Sequence, residues 1–246
     1  VNLNKIALLR NARGQGQPDV LAFARMTLDA GAFGITVHPR PDQRHCRFDD
    51  VHQLKKFVTV ERRAELNVEG YPSEEFLRLI DEVKPAQVTL VPDPPSALTS
   101  NAGWNVKAQL SDINRALARL NNPLVRTSVF IDPYAISLEE LNALKELGVD
   151  RIELYTQRYA EAYGTDSQAE VLAKYRRVAE LARDIDLGVN AGHDLNQDNL
   201  GQLVAHIPWL DEVSIGHALV CEALVQGWST TISNYTAILS RASGAI

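Results

Sequence analysis

The chain has 246 residues, 25 Lys and Arg against 31 Asp and Glu, a formal charge of -6, 45% hydrophobic residues and 23% charged ones. That composition excludes a disordered or fibrous chain, and the acidic balance argues against general nucleic-acid binding while leaving room for a locally built anion pocket. Cys46 and Cys221 are too few for a disulfide framework and lack metal-ligand spacing, no apolar run reaches a membrane span, and the chain opens on a strand-like segment and not a leader, so a cytoplasmic protein without membrane attachment is expected.

In chain order, short runs rich in Val, Ile and Thr alternate with longer segments of helical period. A strand is expected over Val1–Leu9 and a helix over Asp19–Ala30; then a strand over Gly34–His38 and a helix over Asp50–Val58. Glu65–Glu69 and Gln87–Val91 read as strands flanking a helix over Ser73–Val83, and Lys107–Leu120 reads as the next helix. Strand Thr127–Ile131 precedes helix Ser137–Leu147, and strand Arg151–Tyr155 precedes helix Ser167–Ile185. Ser137 with Glu140 and Ser167 with Glu170 have capping-box spacing. Strand Gly188–Ala191, helix Leu200–Ala205, strand Glu212–Ile215 and helices Leu219–Val225 and Thr230–Arg241 complete the series. Pro92–Trp104 and Thr156–Asp166 are the longest expected loops.

Eight strand–helix pairs in this length predict a closed (β/α)8 TIM barrel with additional helices, one domain over residues 1–246, in preference to an open Rossmann-type sheet. Gly14 and Gly16 follow the first expected strand without the third glycine of a dinucleotide fingerprint.

Barrel chemistry sits where strands end, and polar residues fill those positions here. His38, Arg40 and His45 follow the second expected strand; Glu69 ends the third; Gly192 and His193 follow the seventh; Gly216 and His217 follow the eighth. The other two histidines, His52 and His206, lie in helices and read as surface or packing residues. Closure of the barrel would aim His38, Glu69, His193 and His217 at one mouth, a set suited to general acid and base work near neutrality. Gly192 and Gly216 let backbone N–H groups approach a phosphate, and Arg13 and Arg40 offer charge to anionic groups, against the plain alternatives of tight turns and solvated surface. Glu153 alternates with Ile152 and Leu154, which points it into the barrel as a functional or network carboxyl. Lys5, read as lying within the first strand, admits a Schiff-base aldolase as an alternative.

Val1–Ala7, Leu9–Gly14, Gly34–Arg40 with Arg44 and His45, Asn67–Glu69, Thr89–Pro92, Arg151–Thr156, Val189–His193 and Ile215–Ala218 together resemble the PdxJ family of pyridoxine 5'-phosphate synthases across nearly the whole chain. The resemblance implies a cytoplasmic (β/α)8 enzyme, usually a homo-octamer, that condenses 3-amino-2-oxopropyl phosphate with 1-deoxy-D-xylulose 5-phosphate to pyridoxine 5'-phosphate, phosphate and water. It implies neither a metal nor a cofactor. Carried over by position, His38 and Glu69 are proton acceptors, His193 is a proton donor, and Glu153 supports the transition state. Asn2, Arg13, Gly216 and His217 would contact the aminooxopropyl phosphate; Arg40, His45 and Thr99 would contact the deoxyxylulose phosphate. Many members have Asp-His where this chain has Asn4 and Lys5, Gly where it has Asp194, and His where it has Tyr155. Asn4, Lys5, Gly192 and Asp194 are therefore read as substrate contacts of an Asn-x-Asn-Lys branch. A non-catalytic phosphometabolite-binding paralogue is the alternative that these departures suggest.

Overall fold

Runs of β-branched residues between helices leave a strand nowhere to go but a sheet covered on its outer face. The computed structural model describes residues 1–93, 102–120 and 122–242. Its strands are β1 (Gly34–Val37), β2 (Glu65–Gly70), β3 (Gln87–Leu90), β4 (Arg126–Ile131), β5 (Arg151–Tyr155), β6 (Gly188–Gly192) and β7 (Glu212–Ser214). All pair in parallel, each with the next in sequence. The helices are α1 (Asn4–Asn11), α2 (Val20–Asp29), α3 (Phe48–Leu54, continued by a π-helical stretch Lys55–Glu61), α4 (Glu74–Val83), α5 (Val106–Arg119), α6 (Leu138–Glu146), α7 (Gln157–Ala162), α8 (Gln168–Arg183), α9 (Leu200–His206), α10 (His217–Gln226) and α11 (Trp228–Ala242).

The ring is closed by the first three residues. The Thr36 N–H donates to the Val1 carbonyl at 2.8 Å and the Leu3 N–H to the Thr36 carbonyl at 3.0 Å, while on the other side the Asn2 N–H donates to the Ile215 carbonyl at 2.9 Å. Residues 1–3 thus stand between β1 and β7 as the eighth member of the barrel. The expected strand Val1–Leu9 is therefore corrected: only residues 1–3 bond to the neighbouring strands, Leu3 (φ -96, ψ 8) already leaves the extended conformation, and Asn4–Asn11 is helical. Asn2 Oδ1 accepts the Asn4 N–H at 2.9 Å and turns the chain, an Asx-type bond that competes with strand pairing. Leu3, Ile6, Ala7 and Arg10 are the buried positions, which is helical spacing. Lys5 accordingly lies on a helix and not within a barrel strand, so the aldolase alternative loses its premise.

Side chains of the strands alternate between two interiors. Ile35, Val37, Leu66, Val68, Val88, Leu90, Ile152, Leu154, Val189 and Ala191 join the core shared with the helices. The barrel interior is polar. Towards the N-terminal ends of the strands, Arg126 pairs with Glu65 and donates from Nε to Gln87 Oε1 at 2.8 Å, while Arg151 Nη1 meets Asn190 Oδ1 at 3.1 Å and Glu212 Oε2 at 3.3 Å. This network plugs one end. The closing segment is too short to fill the seam beside it, and a cavity of about 420 Å³ remains there, lined among others by Phe33, Glu65, Glu212, Tyr235 and Leu239.

Other boundaries shift for local reasons. Ser137 and Glu140 form the expected reciprocal cap of α6. Ser167 does not cap α8: its backbone is helical (φ -81, ψ -9) where an N-cap is extended, and its hydroxyl pairs with Thr165 at 2.9 Å. The expected loop after β5 contains α7, and α10 begins at His217, two residues before the expected start. No helix among the described residues is long and apolar enough to cross a membrane.

Candidate active site

Two residues near the start of the chain, Asn2 and Asn4, build one wall of the barrel mouth. Asn4 Oδ1 accepts the backbone N–H of His38 at 2.8 Å, and Asn2 Nδ2 reaches Glu69 Oε2 at 3.4 Å. His38 Nδ1 lies 4.0 Å from the same carboxyl oxygen. Asn2 packs tightly against Gly216: a Cβ on Gly216 would lie 3.0 Å from the Asn2 Cβ. Asn2, Asn4, His38, Glu69 and Gly216 are thus brought together.

Glu153 sits across the barrel, 3% exposed, with Thr89 Oγ1 3.4 Å from its Oε2 and 3.1 Å from Asn67 Oδ1. A Cβ on Gly192 would fall 2.4 Å from Glu153 Oε1. The glycine is required by the carboxyl beneath it, a role the phosphate reading of Gly192 did not anticipate. Above this layer Val91, Phe130 and Tyr155 form a small apolar cluster separate from the main core. The Tyr155 ring meets the His193 ring edge-on at 5.0 Å between centroids.

Burial sets the protonation states. Glu69 is pushed up to about 8, first by burial and then by the charge of Glu212. Burial, followed by the nearby Glu69 and Glu212, holds Glu153 well above the carboxylate range. His38 is held well below the ordinary imidazole value by burial and by Arg40, His45 and Arg44, and His45 falls to about 4 through burial and the same arginines. Near neutrality, then, His38 is a neutral acceptor, Glu153 a neutral acid, and Glu69 populates both forms, so the His38–Glu69 contact is mostly uncharged.

The second expected group lies beside this wall. Arg40 is 4% exposed, and its Nη2 approaches Asp93 Oδ2 at 3.7 Å, which removes the solvated-surface alternative for that arginine. His45 stacks edge-on to His38 at 6.1 Å, and its Nδ1 is buried without a hydrogen-bond partner among the described residues. The loop carrying it is tied to α1, since Asn11 Nδ2 is shared among the carbonyls of Gln43, Arg44 and His45 (3.2, 3.1 and 2.8 Å) and Arg10 Nη2 donates to the His45 carbonyl at 3.2 Å. Arg10, Asn11 and Asp93 were not singled out from the sequence. Asn11 binds carbonyls, which no side-chain pattern marks.

Arg13, Lys5 and His217 are more peripheral. Arg13 is exposed beyond α1, and Lys5 is half-buried on α1, where its charge acts on His45. His217 is exposed at the first position of α10, with Nε2 3.7 Å from Cys221 Sγ. Thr99 lies outside the described residues. His52, 3.5 Å from Glu82, and His206, bonded to the Gln202 carbonyl at 2.9 Å, are surface residues as expected.

Residues 1–241 match the family model described as pyridoxal phosphate biosynthesis protein PdxJ. The chain is 48% identical over 240 residues to a pyridoxine 5'-phosphate synthase of Parabacteroides distasonis, covering 98% of each chain. It is 50% identical over 235 residues to one of Porphyromonas gingivalis, covering 96% of this chain and 95% of that one. Among solved structures it is similar in fold to a tryptophan synthase from M. tuberculosis, at 15% identity, with a TM-score of 0.63 over 91% of this chain and 89% of that one.

Proposed function

Because the chain belongs to the PdxJ family, its activity is the synthesis of pyridoxine 5'-phosphate in vitamin B6 biosynthesis, and we propose how its barrel mouth performs the ring-forming condensation. The substrates are 3-amino-2-oxopropyl phosphate and 1-deoxy-D-xylulose 5-phosphate. The reading is carried by one observation: a buried neutral histidine, His38, lies 4.0 Å from a carboxyl that titrates near 8.

Amine–carbonyl condensation, loss of water, expulsion of phosphate and aldol-type closure each move a proton. A carboxyl balanced near neutrality can give one in one step and take one in the next. His38 accepts protons as the neutral imidazole; Glu69, with Asn2 orienting its Oε2, exchanges them in both directions; His193 donates to a leaving oxygen. Glu153, uncharged and beneath Gly192, donates a hydrogen bond to oxygen as negative charge develops in the transition state. Arg40 and His45, with the orphaned His45 Nδ1, suit the deoxyxylulose phosphate. Gly216 and His217 at the start of α10, with Asn2 and Arg13, suit the aminooxopropyl phosphate, where the helix N-terminus favours an anion. Asn4 acts by fixing the His38 backbone, and Lys5 adds positive charge nearby. Self-association, expected as a homo-octamer, has exposed apolar side chains available in Leu8, Leu9, Leu224 and Val225, and a cytoplasmic location completes the reading.

Incubation of the purified protein with both substrates, with pyridoxine 5'-phosphate read by mass and absorbance, tests this. Product is expected from the wild type and none from His193→Asn or Glu69→Gln; wild-type rates in either variant would remove the assigned role.

A further inference from the structure

We infer that Asp194 is a positioning residue for His193: its carboxylate holds the proton on Nδ1, so that Nε2 is the nitrogen that exchanges a proton with the substrate. This rests on the reading of His193 as a proton donor and reassigns Asp194, expected above to be a substrate contact. His193 Nδ1 and Asp194 Oδ2 are 2.7 Å apart, the separation of a charge-assisted hydrogen bond. The geometry is imposed by the backbone. His193 (φ 85) and Asp194 (φ 55) both occupy left-handed conformations, which L-residues adopt only where surrounding structure holds them.

That structure is visible. The buried Thr156 hydroxyl donates to the Gly192 carbonyl at 2.8 Å and also meets the His193 carbonyl, and buried Asn199 donates from Nδ2 to the Asp194 carbonyl at 3.2 Å. Both carbonyls of the pair are thereby pinned, and the two side chains meet on one side of the turn. The Tyr155 ring edge fixes the imidazole from the β5 side.

A carboxylate is also poorly suited to touch a phosphate directly, since like charges repel, whereas it stabilises an imidazolium. The proton balance follows. His193 as imidazolium gives its Nε2 proton to the leaving oxygen; the ring becomes neutral with its remaining proton on Nδ1, still donated to Asp194; Nε2 then regains a proton from a later substrate deprotonation or from water. Without the carboxylate the neutral ring is free to place its proton on either nitrogen, and half of the exchange loses its direction. The other titratable groups around the pair are Tyr155 from β5, Glu153 beneath Gly192, and His217 from the start of α10, whose charge acts on Asp194; Asp132, Glu161 and Asp93 act on Tyr155 at longer range.

The test compares wild type with Asp194→Asn and Asp194→Gly. Asp, Asn and Gly are the residues that tolerate a left-handed backbone best, so all three fold. Nitrogen chemical shifts of His193, assigned by their loss in His193→Gln and recorded without substrate, report its tautomer and titration. The wild type should show the proton on Nδ1. In Asp194→Gly the neutral ring should shift towards the Nε2–H form. The kcat for pyridoxine 5'-phosphate formation should fall about fivefold with it, with KM for both substrates nearly unchanged. Asp194→Asn, whose amide oxygen still accepts from Nδ1, should restore most of kcat while its pH profile loses activity at lower pH than the wild type does. An unchanged His193 tautomer in Asp194→Gly, or a loss confined to KM, would overturn the inference; the second would mark Asp194 as a substrate contact. Wild-type product formation by His193→Asn would overturn the underlying reading, and is distinguishable because the nitrogen shifts require no turnover.

Discussion

Substitution of Gly192 by alanine places a methyl group where the Glu153 carboxyl already lies. The added Cβ would be 2.4 Å from Glu153 Oε1, 3.3 Å from the Ser214 carbonyl and 3.4 Å from Glu153 Cδ. The first distance is far inside contact, and Glu153 is 3% exposed with Thr89 against its other oxygen, so the side chain has little room to retreat. Overpacking of this kind costs about 1–3 kcal/mol, and about 2 kcal/mol lowers the melting temperature of a chain this size by roughly 4–8 °C. Glu153→Ala removes the atoms that clash, so Gly192→Ala made in that background should cost at least about 1 kcal/mol less, a coupling well above the scatter expected of independent sites. Urea and thermal melts of the four proteins at matched concentration measure the cycle. Equal costs of Gly192→Ala in both backgrounds, or no cost in either, would refute the reasoning. The competing explanation of Gly192, a backbone bared for phosphate, predicts a rise in KM that Glu153→Ala does not relieve.

Two further outcomes follow from the same geometry. Glu69 titrates near 8 in the folded chain against an ordinary value of 4.5, so folding favours its protonated form: its stabilising contribution is full below pH 4.5 and is lost as pH rises through about 8. The span corresponds to at most about 5 kcal/mol, and urea melts of wild type and Glu69→Gln should show the wild type losing stability relative to the variant across that window; parallel curves would contradict the buried carboxyl. Asn11→Ala removes the amide shared among three carbonyls of the loop that carries His45; at about 1 kcal/mol for the lost hydrogen bonding, KM for the deoxyxylulose phosphate should rise about fivefold while kcat changes less, and steady-state kinetics with an unchanged KM would argue against loop positioning.

Much of the barrel could be read from the chain because the outward strand positions are β-branched or leucine and the strands are bounded by Gly, Asp and Pro. The first strand misled because Leu3, Ile6 and Ala7 suit a short apolar strand as well as a helix face, and only the Asx-type bond from Asn2 to Asn4 decides between them. Glu153 was legible as an inward residue from its apolar neighbours in sequence, and the structure places it there. Arg40 was not legible as buried, since its partner Asp93 is distant in sequence and the pairing exists only once two βα loops meet. Asn11 was silent because it binds backbone. Gly192 was legible as a special position, but not for the carboxyl that excludes a side chain there: Glu153 lies two strand positions below the mouth, across the β5–β6 pairing.

The central claim is that Glu69, tuned by burial beside His38, exchanges the protons of ring formation. It is tested most directly by rapid-quench measurement of pyridoxine 5'-phosphate from both substrates, comparing wild type with Glu69→Gln across pH 6 to 9 at about one-unit steps. The account predicts that the wild-type rate turns over with an apparent pKa near 8 and that Glu69→Gln, folded and still binding both substrates, forms no ring at any pH. A Glu69→Gln protein that makes product with the wild-type rate and pH profile would contradict it.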